Sequence, residues 1–418
     1  MISLILYNQH WQNGFFYPFK KERVFINHLK RNIDSKFILI LAGLRRTGKT
    51  VLLLQTINYL IKIKNIPREN ILYFTFDEEK IKIEDLLYEY EKQTGIKWKR
   101  EKLFIFLDEI QKLDNFQNQI KIFYDLYPNL KFVISGSTSL FIKKKSSESL
   151  AGREITIYLP PLLFSEYLNF IDAEELLEKP NIFKKELELE FEKYWQRQFI
   201  ETLKLKKDEL IYYLKSLVQK IIFEDIPVIY NISEPDILIK IVKTFCNYPG
   251  TLINYEKLSN IFNVDRKTLS KYIKALTHSY LIKILYNFSK NLMRTEKKLK
   301  KAYMSSPSFV TAFNEFILND DMKRNLLVEN VVISVNNFNY FWRERDGVEV
   351  DFVDVNGEKY NAFEVKYKNK IEKEDIKNLI LFKKRFKNAG ITLLTKLNPD
   401  IRDKLKEDIE IIPVFDKI

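Results

Sequence analysis

At 418 residues, with 46% hydrophobic and 30% charged side chains, the chain is too long for one ordinary core and too apolar for a disordered polymer; two or three folded domains are expected. The formal net charge of +13 suits an anionic partner such as nucleic acid and equally a well-solvated surface. A single cysteine, Cys246, excludes an internal disulfide and a thiolate cluster, and three scattered histidines (His10, His28, His278) argue against a zinc site.

The N-terminal apolar run Ile2–Leu6 is too short for a signal peptide or a membrane span, and nothing else reaches spanning length, so a cytoplasmic protein with no membrane partner is expected. Residues 1–36 read as a short approach ending in a helix around Lys20–Asn32. From Phe37 to about Leu163 the apolar runs FILILA, ILYFTF, LFIFLD, KFVIS and EITIYL alternate with helical patterns. Short apolar strands alternating with helices predict βαβ units and a parallel sheet covered on both faces.

Residues 43–50 read GLRRTGKT, between the strand Phe37–Leu41 and a periodic helix Val51–Lys62. A triphosphate needs backbone N–H groups in an unobstructed loop, a mobile cation and a hydroxyl for magnesium. Gly43 and Gly48 permit the loop formed with Leu44, Arg45, Arg46 and Thr47; Lys49 reaches the phosphates, and Thr50 offers its hydroxyl to Mg²⁺. The strand Leu103–Leu107 then delivers Asp108 and Glu109 to its C-terminal end, where ligands of open α/β sheets sit. Asp108 is expected to hold Mg²⁺, and Glu109 to orient or deprotonate the attacking water. Ile71–Phe76 supplies an additional strand between the two motifs, which resembles the RecA and AAA-like side of the P-loop ATPases. A further strand, Lys131–Ser135, ends in Ser135-Gly136-Ser137-Thr138-Ser139, whose hydroxyls are placed to sense the γ-phosphate or simply to form a turn.

Next come Leu150-Ala151-Gly152-Arg153, the strand Glu154–Leu159, and LPPLLFSEYL. In this order, GxRRxGKT, LDEIQ, SGSxS and LAGR…LxPLxFxEYL resemble the prokaryotic AAA-like ATPases, common in archaea, that carry a C-terminal domain of unknown function. The resemblance implies ATP and Mg²⁺ as cofactors, and an arginine near this place that contacts the γ-phosphate in cis or from a neighbour. Arg153 is the candidate, with a structural salt bridge as its alternative.

Beyond residue 163 the strand signal fades. Asn181–Leu205 and Asp208–Glu224 read as helices, followed by a helical trio running to His278. The segment LSNIFNVDRKTLSKYIKALTHSYLI resembles a winged helix-turn-helix, with Asp265 or its neighbour capping the second helix, Arg266–Leu276. Leu269, Ile273 and Leu276 share one face, leaving Arg266, Lys267, Lys271 and Lys274 outward as candidate DNA contacts. Lys290, Arg294, Lys297, Lys298, Lys300 and Lys301 follow in the expected wing. From Arg324 the pattern is helix, three strands, helix, strand, helix, strand, with a hairpin at Asn356-Gly357. It sets Asp351 beside Glu364 and Lys366, while Glu329 lies on the preceding helix. This order resembles the PD-(D/E)xK nuclease fold, although the first element reads VEVD.

The predicted architecture is therefore α/β. A P-loop NTPase domain with an AAA/RecA-like parallel sheet covers 1–163, a helical region 164–235, a winged helix 236–304, and a small restriction-endonuclease-like α/β domain 305–418. The function expected is an ATP hydrolase coupling nucleotide state to a DNA-directed, nuclease-like module. The alternative is an ATP-gated signalling switch whose inactive nuclease fold binds a protein partner or a second copy.

Overall fold

The structure is a computed structural model that describes residues 3–137, 150–291, 293, 295, 299–314, 321–344, 346–401 and 409–418. The chain forms two compact units, Met1–Pro160 with His278–Tyr280, and Pro161–Thr277 with Leu281–Ile418. Among the described residues, no helix is long and apolar enough to cross a membrane.

In the first unit, α1 (Ile26–Asn32) precedes β1 (Ile38–Ala42), α2 (Lys49–Lys62), β2 (Ile71–Thr75), α3 (Ile83–Thr94), β3 (Leu103–Asp108), α4 (Phe116–Leu126), β4 (Leu130–Gly136) and β5 (Glu154–Tyr158). The five strands are parallel, in the order β2-β3-β4-β1-β5. Alternate strand residues face opposite ways. Leu39 and Leu41 pack with Phe104 and Phe106 against Leu52, Leu53 and Ile57 of α2. Ile38 and Ile40 pack with Ile105 and Leu107 against Leu86 and Leu87 of α3 and Ile120 of α4. Helices on both faces explain why the strands read as unbroken apolar runs. The strand standing between β1 and β3 in space is β4, whereas Ile71–Thr75, which lies between the two motifs in sequence, forms the sheet edge.

That edge is covered by the N-terminal segment. The Asn8 side chain accepts from the Tyr73 N–H (2.7 Å) and donates to the Tyr73 carbonyl (3.0 Å), satisfying the groups a further strand would pair with. Trp11 Nε1 donates to the Ile71 carbonyl at 2.8 Å. His10 Nε2 lies 3.0 Å from the same carbonyl, so this nitrogen carries the proton and Nδ1 accepts from the Tyr17 hydroxyl at 3.0 Å. The helix expected from Lys20 begins only at Ile26, because Lys21 gives its carbonyl to Gln55 (2.8 Å) and Arg23 turns inward.

The second unit opens with α5 (Phe164–Phe170), α6 (Glu175–Glu178), α7 (Lys184–Tyr194), α8 (Lys207–Lys220), α9 (Ile226–Ile229) and α10 (Pro235–Asn247). The helix expected over Asn181–Leu205 stops at Tyr194, because the chain turns to deliver Gln198 into the interior. Gln198 bonds Ser306 (2.9 Å) and Ser334 (3.1 Å) there. Then come β6 (Thr251–Ile253), α11 (Tyr255–Phe262), α12 (Arg266–His278), β7 (Ile282–Asn287), β8 (Lys300–Met304), α13 (Pro307–Phe313) and α14 (Asp321–Val335). The remainder is β9 (Tyr340–Arg343), β10 (Glu349–Asn356), β11 (Lys359–Lys366), β12 (Lys370–Ile371), α15 (Lys373–Arg385), β13 (Gly390–Thr395), β14 (Asp400–Ile401) and β15 (Glu410–Pro413). The helix expected before the last strand falls on residues 402–408, outside the described residues.

Eight of these strands form one sheet in the order β15-β13-β11-β10-β9-β7-β8-β6. The expected division at 304/305 therefore runs between strands of a single sheet, joined where β7 pairs in parallel with β9 (Tyr286↔Tyr340). Lys283 of β7 reinforces this joint, since its ammonium donates to the carbonyls of Ile333 (2.8 Å), Ser334 (3.0 Å) and Asn336 (3.1 Å) at the end of α14.

Two stability measurements follow from these contacts. Lys283→Met leaves three inward carbonyls without this donor and should lower stability by about 2–4 kcal/mol, read as a lower urea midpoint at an unchanged m-value. Burial pushes His10 down from 6.5 to about 4. Its contribution is thus complete above about pH 6.5 and lost as pH falls towards 4, and His10→Gln should flatten that part of the stability curve.

Candidate functional site

The first unit gathers its polar side chains at the C-terminal edge of the parallel sheet. Between β1 and α2 the loop Gly43–Gly48 passes so close to β5 that a Cβ on Gly43 would stand 2.3 Å from the Leu159 carbonyl oxygen. Arg46 (φ 67°) and Gly48 (φ 92°) take left-handed conformations, which turn the loop back onto the start of α2. Lys49 is buried, its ammonium donating to the Gly43 (3.1 Å) and Leu44 (2.9 Å) carbonyls across the loop's hollow. Arg23, also buried, fastens the loop from behind through the carbonyls of Thr47 (2.9 Å) and Pro160 (2.8 Å). Nothing in the local sequence marks this arginine, which stands about twenty residues before the loop.

Asp108 ends β3 and is the hub of the site. One carboxylate oxygen accepts from the Thr50 hydroxyl (2.6 Å) and from the Tyr73 hydroxyl (3.1 Å), and the other from Ser135. Glu109 follows in a left-handed conformation (φ 48°), which costs a non-glycine residue about 1–3 kcal/mol. Its N–H is held by Asp108 Oδ1 (3.1 Å) and Ser135 Oγ (3.4 Å), which fixes the strained turn. Burial pushes the Glu109 carboxyl up from its ordinary value, against the attraction of Lys49.

One oxygen of that carboxylate, Oε2, accepts from the Gln111 amide and from Ser137 Oγ (3.3 Å), and the same amide donates to Ser137 at 2.9 Å. Gln111 fits because residue 136 is glycine: a Cβ there would stand 2.7 Å from Gln111 Oε1. In the sequence, Gln111 closes the LDEIQ motif without any sign of what it bonds. Of the hydroxyl cluster after β4, Ser135 and Ser137 join the site, while Thr138 and Ser139 lie outside the described residues.

The residues present fit a nucleotide with its magnesium. The Lys49 ammonium is held on the Gly43 carbonyl of the loop, and Thr50 and Asp108 offer adjacent hard oxygen donors. Arg153 is a correction to the expected site. It stands at the start of β5, where its carbonyl pairs with Ile38 at the beginning of β1, and so lies at the sheet edge opposite the loop. Its guanidinium engages Asp125 (2.8 and 3.2 Å), so a γ-phosphate contact in cis is ruled out by position.

In the second unit the structure brings together Glu329 of α14, Asp351 of β10, and Glu364 and Lys366 of β11, all but the lysine buried. Lys366 Nζ donates to Glu364 at 2.6 Å, the Val365 N–H donates to Asp351 at 2.9 Å, and Tyr303 donates to Glu329 at 3.1 Å. Among the described residues, no three His, Cys, Asp or Glu side chains converge in an arrangement fit for a metal ion. On α12, Leu269, Tyr272, Ile273 and Leu276 face inward, and Arg266, Lys267, Lys271 and Lys274 are exposed. Asp265 caps that helix through the N–H groups of Lys267 (2.8 Å) and Thr268 (2.9 Å). Lys301, expected among the outward lysines of the wing, is instead buried; Arg294, Lys297 and Lys298 lie outside the described residues.

Comparison with known proteins follows this division. Residues 35–168 match the family model of an AAA domain. Residues 199–319 and 324–414 match two families each described as a domain of unknown function, DUF8612 and DUF4143. An uncharacterized protein of Methanocaldococcus jannaschii is 28% identical over 358 residues, covering 79% of this chain and 73% of that one. A second from the same organism is 27% identical over 436 residues, covering 95% and 91%. Among solved structures, Cdc6p from Pyrobaculum aerophilum aligns with 74% of this chain and 98% of its own at 11% identity; its TM-score of 0.31 is too low to transfer an architecture. The segment holding the loop, Asp108 and Glu109 is thus similar to AAA domains, P-loop ATPase-like modules, and the rest of the chain to families with no assigned role.

Proposed function

We propose that the chain binds ATP with magnesium at the Gly43–Thr50 loop and hydrolyses it, and that the nucleotide state governs what the second unit binds. The observation that carries this reading is the Thr50–Asp108–Ser135 set beside Glu109: a hydroxyl and a carboxylate able to share one cation, next to a carboxylate with an oxygen to spare. Magnesium held by Thr50, Asp108 and phosphate oxygens would offset the charge on the β- and γ-phosphates. Lys49 then exchanges the Gly43 and Leu44 carbonyls for phosphate oxygens. Glu109 Oε1 accepts the proton of a water whose oxygen attacks the γ-phosphorus, the bond to the bridging oxygen breaks, and ADP and phosphate result. Gln111 and Ser137 hold Oε2 so that Oε1 stays aimed at the water. Arg153, half-buried at the far edge, serves this chemistry only for a neighbouring copy.

Two features support a nucleic-acid role for the second unit. The order α10, β6, α11, α12, β7, β8, with β6 and β7 both antiparallel to β8, supports the winged-helix reading. Its second helix, α12, shows four basic side chains to solvent. The meander β9-β10-β11 between α14 and α15, with β13 and β15 added in parallel, supports a nuclease-like fold. The alternative is a signalling switch in which the same surfaces take a protein.

Lys49→Ala removes the phosphate-facing cation and should weaken ATP binding about 100-fold or more by calorimetry. Gln111→Ala should lower kcat on the order of 10- to 100-fold at unchanged KM, since only the aim of Glu109 is lost. Gly136→Ala, which crowds Gln111 Oε1, should reproduce this loss, and the double variant should be no worse than either alone, as shown by a double-mutant cycle. For DNA, reversing charge at Lys267 and Lys271 should abolish salt-dependent duplex binding measured by fluorescence anisotropy; unchanged binding would favour the switch reading.

A further inference from the structure

The second unit holds a buried ionic cluster whose composition differs from that of a metal site. Its carboxylates come from α14 (Glu329), β10 (Glu349, Asp351) and β11 (Glu364), and its cations from β8 (Lys301), β9 (Arg343) and β11 (Lys366). A cavity of about 320 Å³ opens onto it, bordered by Gly250, Lys301, Glu329, Glu349 and Asp351. Lys301 is 5% exposed and enters from β8, the strand lying between β7 and β6. Its ammonium is ion-paired with Glu349, lies within reach of Tyr303 Oη (3.5 Å) and sits 5.3 Å from the centre of the Phe341 ring.

We propose that the Lys301 ammonium is the resident cation of this cluster: it takes the place a divalent ion would need, closes the nuclease-like site to metal, and makes the cluster an ionic joint between β8 and the β9-β10-β11 meander.

Burying an ammonium costs several kcal/mol unless opposite charge surrounds it, so Lys301 is stable here because the acids face it, and it shares with Arg343 and Lys366 the charge that balances them. Burial pulls its ammonium down, yet Glu329, Asp351 and Glu349 outweigh that and hold it above its ordinary value. Much of the remaining carboxylate capacity is also committed, Glu364 Oε2 being the exception as a buried oxygen with no hydrogen-bond partner among the described residues. Glu349 accepts from Arg343 (2.6 Å), Glu329 from Tyr303 (3.1 Å) and Asn325 (3.3 Å), Asp351 from the Val365 N–H (2.9 Å), and Glu364 from Lys366 (2.6 Å). A metal ion drawing on Glu329, Glu349 or Asp351 would have to displace the lysine and strip these donors, and Glu364 Oε2 alone is too few ligands to hold one. The joint also crosses a family boundary, since Lys301 lies in the segment matching one domain of unknown function, and Glu329, Glu349 and Asp351 in the segment matching the other.

This inference rests on the nuclease-like reading of the fold and is independent of ATP hydrolysis. The test is Mn²⁺ binding to the full chain without nucleotide, read by electron paramagnetic resonance, with Glu329→Gln to locate the site. Wild type should show no Glu329-dependent Mn²⁺ site up to about 1 mM, the weak end of protein divalent-cation sites. Lys301→Met should gain one site and lose it again on addition of Glu329→Gln, while Lys301→Arg should stay closed. A Glu329-dependent site in wild type overturns the proposal, as does a folded Lys301→Met protein that gains none. Should Lys301→Met not fold, the wild-type measurement decides alone.

Discussion

The Asp108 carboxylate ties the nucleotide site to the sheet that carries it. Three hydroxyls converge on it: Thr50 from the first turn of α2, Tyr73 from β2 and Ser135 from β4. They can do so only because β4 stands between β1 and β3, which puts a strand end bearing a serine between the loop and the acid. The backbone of Glu109, the loop's first helical turn and the Gln111–Ser137 pair all take their positions from this hub. A cation shared by Thr50 and Asp108 would replace one hydrogen bond of the set and leave the others in place, so the site is organised before nucleotide arrives.

The second unit solves the burial of charge differently. Its acids are balanced from within, by lysines and an arginine on three separate strands, and the balance holds two parts of one sheet together. Buried ion pairs of this kind add little net stability over apolar packing, but removing one partner is costly, so they fix which arrangement forms. A unit built this way is suited to present fixed surfaces, such as the exposed basic face of α12.

The parts of this structure legible in the sequence are those governed by local rules. The five strands of the first unit announced themselves because both faces are covered, and the loop because glycine, lysine and threonine occur at a spacing set by phosphate chemistry. The hairpin at Asn356-Gly357 and the Asp265 cap were legible for the same reason. What stayed hidden depends on distance through space. Arg23 and the loop it fastens share no local pattern, and Gln111 acquires its role from a glycine on another strand. Arg153 read as a site residue because the LAGR segment resembles that of AAA-like ATPases with an arginine near this place, while parallel pairing with β1 sends it to the opposite edge. Lys300 and Lys301 are identical letters on a two-residue alternation, and only the tertiary fold shows which one turns inward.

The central claim is that this chain hydrolyses ATP with Glu109 as the group that takes the water's proton. The most direct measurement is single-turnover hydrolysis of magnesium-ATP by wild type and by Glu109→Gln, with nucleotide affinity measured on the same samples. The account predicts that the variant binds ATP as tightly as wild type and releases phosphate at least about 100-fold more slowly. Wild-type rates of phosphate release by the Glu109→Gln protein would contradict it.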